Sequence, residues 1–398
     1  MKVLISTIAV LLVSITFVCG FKSILHGQRH LSGGLLGCSR VVQEMDHETK
    51  AVDENNRPWK NRDGTLANAE EMEFYDEQGK NSISLISYNI LGPEHGEQQK
   101  HNYTPMRIRR WNNRKAILFN ELRRYKADIF CLQEVTVRSL VEDLEPFFFR
   151  EMQGGDLTRQ KWGCVHTPKI LPEVLAKIPP RRRKKLGHKW LGVATFYNKE
   201  KFDGLFSKQI LLRDYCQDYD NPHLMLKKKA DTAVLLLLQD KRTGVKCLVA
   251  NLHLFWCPTL PDVKACQLAA AARAQAAFLW AAVDEGILMP EEMDSIHVIF
   301  CGDHNSVPYL QEEWLPGNEE MRYYNAKSPE EFSARRSGAS GCIIPKDPNA
   351  MSGVYALLHY GTLEPSHPEH PDSLAKRRAA FAEVAATEEE DEPAAQGE

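Results

Sequence analysis

Apolar runs that stop on a polar side chain limit this chain more than any count of its residues. "ISLISYNIL" contains Asn89, "DIFCLQEV" reaches Glu134, "VKCLVANLHL" carries His253, and "HVIFCGD" ends on Asp303, two residues before Asn305. These runs, with "GVATFYN" (192–198) and "AVLLLLQD" (233–240), have the length and composition of buried strands. Ile108, Trp111, Leu118, Leu122 and Tyr125 recur at helical spacing over 105–125, and an alanine-rich stretch from Asp262 to Val283 predicts a second helix. "DKRTG" divides two of the strands and predicts a hairpin turn at Gly244. Singly, a strand-end Asn or Asp caps a turn, a His is a satisfied surface group and a Glu is a solvated loop acid. Five such groups at the ends of four core strands are what metal-assisted phosphodiester cleavage requires. Hard oxygens hold magnesium, while amide and imidazole groups steady the phosphate.

Composition narrows the partners. The chain has 398 residues, 43% of them apolar, enough for a substantial core, and its net charge of −3 excludes wholesale electrostatic attachment to nucleic acid. A polyanion would have to meet a local basic patch. Arg181, Arg182, Arg183, Lys184 and Lys185, between Trp162 and Trp190, form the strongest candidate for guiding an RNA backbone, against the plainer reading of a solvated insertion. The ten cysteines contain no C-x-x-C pair, and Cys131, Cys247 and Cys301 lie inside apolar runs, where buried free thiols are expected.

The ends differ from the middle. Val3 to Val18 is apolar and followed by Cys19-Gly20, which reads as a secretory leader over residues 1–20, with an uncleaved membrane anchor as the rival. Residues 21–80 read as linker; Phe21 to Met45 has basic residues but no acid before Glu44, the composition of an organelle-directing signal. Residues 81–365 hold the strand and helix patterns, and 366–398 read as an acidic disordered tail.

Taken in order, "LISYNIL", "DIFCLQEV", "VATFYNKEKF", "VANLHLFWCP", "PDVKACQ" and "FCGDHNSVP" resemble successive motifs of the endonuclease/exonuclease/phosphatase superfamily. "NLHLFWCP", "PDVKACQ" and "SGVYALLHYGTLEPSHPEHPD" resemble its deadenylase branch, which includes the carbon-catabolite-repression deadenylases, nocturnin, the Angel proteins and the 2′-phosphodiesterase. The resemblance implies an α/β fold, a four-layer α-β-β-α sandwich of two mixed sheets with the site where the sheets meet. It implies Glu134 as the principal Mg2+ ligand, with Mn2+ as an alternative ion, and Asn89 on a phosphate oxygen or a metal-bound water. His253 would contact the scissile phosphate, Asp303 would activate water and Asn305 would hold the phosphate or nucleophile in line.

The implied activity is 3′-to-5′ removal of adenylates from RNA, with 2′,5′-oligoadenylate or a phosphorylated nucleotide as alternative substrates. The implied location is cytoplasm or mitochondrion, whereas the leader points to the secretory pathway. Four departures stand out. His304 replaces an aromatic residue between Asp303 and Asn305, and strand alternation turns it toward the core. Leu191 replaces an acid, and "ADTAV" replaces an Asn-containing strand entry, leaving Asp231 or Thr232 as its equivalent. The family's terminal Asp and Ser-Asp-His motifs have no counterpart in 366–398, which predicts a fold incomplete at that end, an open sheet edge, and a catalytically impaired RNA-binding protein as the competing reading.

Overall fold

The computed structural model describes residues 11–14, 21–23, 83–96, 104–152, 160–169, 191–216, 225–257, 259–308, 310 and 350–379. The apolar runs form two stacked five-stranded sheets. One has the order β2-β3-β4-β6-β5, from Phe21–Ser23 (β2), Ile83–Asn89 (β3), Ile129–Thr136 (β4), Trp162–Pro168 (β5) and Leu191–Asn198 (β6). The other has the order β1-β10-β9-β8-β7, from Leu11–Ser14 (β1), Phe202–Leu211 (β7), Thr232–Asp240 (β8), Lys246–His253 (β9) and His297–Asp303 (β10). Both are mixed: β3 runs parallel to β4 and β10 parallel to β9, while β4/β6 and β8/β9 are antiparallel.

Alternation along the strands builds three apolar layers. Ile129 and Cys131 of β4 pack between the sheets with Val234, Leu236 and Leu238 of β8 and Val249 of β9. Phe130 and Leu132 face outward, against Leu118 and Leu122 of the helix Trp111–Tyr125 (α1) and against Phe147 and Phe148. On the far side, Leu235, Leu237, Leu248 and Ala250 meet Ala271, Ala274 and Phe278 of the helix Pro261–Asp284 (α2) and Val354 and Leu358 of the helix Gly353–Tyr360 (α3). This is the expected α-β-β-α sandwich. The expected hairpin turn also forms, with Gly244 at φ 72° and Asp240 accepting from the amides of Arg242 and Thr243.

Two expectations change. The outer edge of β10 is not open, because Leu11–Ser14 pairs with it in parallel; Phe21–Ser23 likewise pairs with β3. The acidic tail does not begin at 366. His367 and Glu369 are buried, Leu374 is fully buried, and residues 371–379 are helical. This segment is held because Glu369 accepts from the Gly353 amide and His367 is hydrogen-bonded to the Met351 carbonyl. Arg378 makes a two-pronged ion pair with the buried Asp262 at the start of α2. No helix among the described residues is long and apolar enough to cross a membrane.

Candidate active site

At one end of the sandwich, β3, β4, β9 and β10 deliver their terminal polar residues to a common edge. The sheets are locked together just beneath it by a polar pair in an otherwise apolar interface. Gln133 Nε2 donates to Asn251 Oδ1 (2.8 Å) and to Ser87 Oγ (3.2 Å), and Asn251 Nδ2 donates to the Ala194 carbonyl (3.0 Å) and to Thr195 Oγ1 (3.2 Å). Every one of these side chains is essentially sealed from water. Buried amides need partners, so only one register between the sheets satisfies them all.

Immediately after Gln133 the β4/β6 ladder slips, and Glu134 adopts φ 61°. A bulge re-aims a side chain at the cost of local strain, and here it brings Glu134 to the edge. Asn89 joins the two sheets at that point: its Nδ2 donates to Glu134 Oε1 (3.1 Å) and to Asp303 Oδ2 (2.8 Å). Its Oδ1 accepts from the Leu91 amide (2.9 Å), which fixes the carboxamide's orientation. Asp303 Oδ1 accepts from the Asn305 amide (2.8 Å), and Asn305, at φ 48°, donates through Nδ2 to the Leu254 carbonyl (2.9 Å). His253 is paired in register with Asp303 across β9/β10, with its Nε2 3.9 Å from Asp303 Oδ2. The structure therefore brings Asn89, Glu134, Asp303 and His253 together, with Asn305 attached through Asp303. Arg181 to Lys185 lie outside the described residues.

The electrostatics suit a cation. Burial raises the Glu134 carboxyl, but hydrogen bonding to His95, the charges of His95 and His253 and the Asn89 amide outweigh it and hold its pKa at about 2. Burial pushes the His253 imidazole below its ordinary value, as does the nearby Lys169 ammonium, against the pull of Asp303, Glu134 and Asp231. It is neutral at pH 7, and its Nδ1 has no partner among the described residues. Among those residues no cluster of three or more His, Cys, Asp or Glu side chains is gathered as a metal cage. Magnesium does not need one: it keeps most of its waters and is held by one or two carboxylates with the substrate phosphate. Glu134 offers a hard carboxylate oxygen with no thiolate beside it, a donor that fits magnesium or manganese, while Asn89 turns its amide NH2 to the carboxylates and its Oδ1 to the Leu91 amide.

Several contributors are missing from the sequence reading. Arg114 of α1 donates to the carbonyls of Ile90 (3.0 Å) and Leu91 (2.7 Å), pinning the turn after Asn89. Gly92 sends its amide to Glu134 Oε2 (2.8 Å), and a Cβ there would meet the Glu134 carbonyl at 2.8 Å and Leu191 Cδ2 at 2.5 Å. Leu191, where an acid was expected, is thus the apolar wall of this turn. Asp231 is bound by Lys169 and by Gln267 Nε2 (2.7 Å), whereas the Thr232 hydroxyl has no partner among the described residues. His304 is buried, as alternation predicts.

Residues 86–308 match the Endonuclease/Exonuclease/phosphatase family. The chain belongs to that family. It is similar to the CCR4-Not complex 3'-5'-exoribonuclease subunit Ccr4 of Mycosarcoma maydis, 30% identical over 288 residues that cover 66% of this chain and 40% of that protein. The corresponding Schizosaccharomyces pombe subunit is 29% identical over 245 residues, 56% of this chain and 33% of that one. The chain therefore spans well under two thirds of these relatives. Among solved structures in the endonuclease/exonuclease/phosphatase family's range, ANGEL2, a 2',3'-cyclic phosphatase, aligns over 57% of this chain and 54% of its own at TM-score 0.41 and 23% identity. The human Nocturnin catalytic domain aligns over 56% and 65% at TM-score 0.37 and 21% identity.

Proposed function

We propose that the protein is a divalent-metal-dependent phosphodiesterase that removes nucleotides from the 3′ end of RNA, with poly(A) as its substrate. The observation that carries this reading is the Asn89 carboxamide donating to Glu134 and Asp303 at once, one carboxylate from each sheet. The likeness to 3'-5'-exoribonuclease subunits supports RNA over other phosphodiesters.

Glu134 would hold the ion, which when bound supplies positive charge at the phosphoryl oxygens, while the Asn89 amide holds Glu134 and Asp303 in place beside it. The chain's own groups do the rest. Asp303, kept aligned by Asn89 and by the Asn305 amide, accepts the proton of the water whose oxygen bonds to phosphorus, as the P–O3′ bond to the preceding nucleotide breaks and that O3′ leaves and takes a proton from solvent. His253 carries a proton on one nitrogen and donates it to a phosphate oxygen, because burial keeps the ring neutral. Trp256, 52% exposed three residues beyond His253, offers a face on which a base stacks.

Three labelled substrates decide the reading: a poly(A) 20-mer, a 2′,5′-linked oligoadenylate and a phosphorylated dinucleotide, each with Mg2+ and with EDTA. Stepwise shortening of poly(A) that stops with EDTA is the expected result. Consumption of either of the others in preference would reassign the substrate, and binding of poly(A) without turnover would make the chain an RNA-binding protein.

A further inference from the structure

We propose that His95 is a positioning residue that restricts Glu134 to a single metal-facing lone pair; this rests on the reading of Glu134 as the metal ligand. His95 lies on the short helical turn Pro93–Gly96, closed by its own amide and that of Gly96 on the Gly92 carbonyl (2.9 and 3.0 Å). The turn starts just past the carbonyls of Ile90 and Leu91 that Arg114 grips. Its Nδ1 is 2.9 Å from Glu134 Oε2, and the pair is largely buried, at 17% and 10% side-chain exposure. A carboxylate acceptor requires the proton on Nδ1, so the ring donates.

A carboxylate has about four lone-pair directions. On Glu134, Oε2 receives the Gly92 amide and the His95 ring, filling both of its directions, and Oε1 receives the Asn89 amide. One direction remains, on Oε1, the oxygen nearer the Asn89–Asp303 contact. A cation there meets one carboxylate oxygen, the arrangement magnesium accepts while keeping its waters. Without His95, Oε2 regains a free lone pair and Glu134 loses one of the donors that fix its rotation. Groups that orient a ligand in this way typically change metal affinity by about 10–100-fold.

The test is Mn2+ binding to the full chain, followed by electron paramagnetic resonance. His95→Ala should weaken binding by about 10–100-fold. His95→Asn, whose amide nitrogen reaches the place of Nδ1, should restore most of it. Pulsed spectra of Mn2+ on the wild-type protein should show no directly bound nitrogen, a readout independent of whether the alanine variant folds. Unchanged affinity in folded His95→Ala, or a directly coordinated nitrogen, overturns the proposal. Failure of the wild type to bind Mn2+, or binding that survives Glu134→Gln, instead overturns the metal assignment beneath it.

Discussion

An imidazole sealed from water with neither nitrogen paired among the described residues is an unusual residue to keep beside the Asp303 carboxylate. His304 is 1% exposed, and its two ring nitrogens have no hydrogen-bond partner among the described residues. Burial pushes its pKa from the ordinary 6.5 down to about 4, against a small opposing pull from Asp303. The unfolded chain therefore binds a proton between those values that the folded one refuses. Stability rises with pH across that window, and on acidification from 6.5 to 4 the folded state loses on the order of 3 kcal/mol. His304→Phe should raise the denaturation midpoint at pH 5, with a smaller gain at pH 8. A gain independent of pH would mean that the ring is not excluded from protonation. Glu134 adds acid sensitivity lower down: its depressed pKa contributes stability present above about 4.5 and lost as pH falls toward about 2.

Among elements, those with two buried faces were legible and those at the sheet edges were not. "DIFCLQEV" and "VKCLVANLHL" match β4 and β9 to within one residue at each end, because both strands are buried on both sides and read as continuous apolar runs. β5 and β7 escaped notice. They lie at the sheet edges, and β7 exposes Asp203, Ser207, Lys208 and Gln209 and slips at Gly204/Phe206, so it shows neither an apolar run nor clean alternation. The stripe over 105–125 is two helices, Met106–Arg109 and α1, broken where Arg110 is extended (ψ 129°). Composition also hid the packing of 366–379: "SHPEHPD" is polar, but its His367 and Glu369 find buried backbone partners. Arg378→Ala would leave the buried Asp262 carboxylate with the Val263 amide as its one hydrogen-bond donor among the described residues. A loss of about 3–5 kcal/mol in urea denaturation is expected, with partial recovery in Arg378→Ala/Asp262→Asn. A loss under about 1 kcal/mol would mark the contact as a surface pair.

Across the whole molecule, the site depends on two sheets meeting in one register. Asn89 and Glu134 come from one sheet, His253 and Asp303 from the other, and Gln133 with Asn251 ties them just below. That Asn89, Glu134, His253 and Asp303 would meet was readable, since each lies at or near the end of an apolar run. Their supports were not: the Glu134 bulge, the Arg114 grip and the His95 contact arise from tertiary neighbours that no local pattern encodes. Asn251→Ala leaves the Gln133 amide and the Ala194 carbonyl short of a partner. It should cost about 2–4 kcal/mol and lower activity by weakening the alignment of the sheets. A variant of unchanged stability would remove the inter-sheet tie from the account.

Because one carboxamide couples the two carboxylates, they should act as a unit. The most direct measurement is the single-turnover rate of poly(A) shortening in Mg2+ for the wild type, Glu134→Gln, Asp303→Asn and the double variant. Each single change should reduce the rate by about 10²–10⁴-fold, and the double variant should be little slower than the slower single one. Independent, multiplying losses, or a single variant that retains the wild-type rate, would contradict a site built from both sheets.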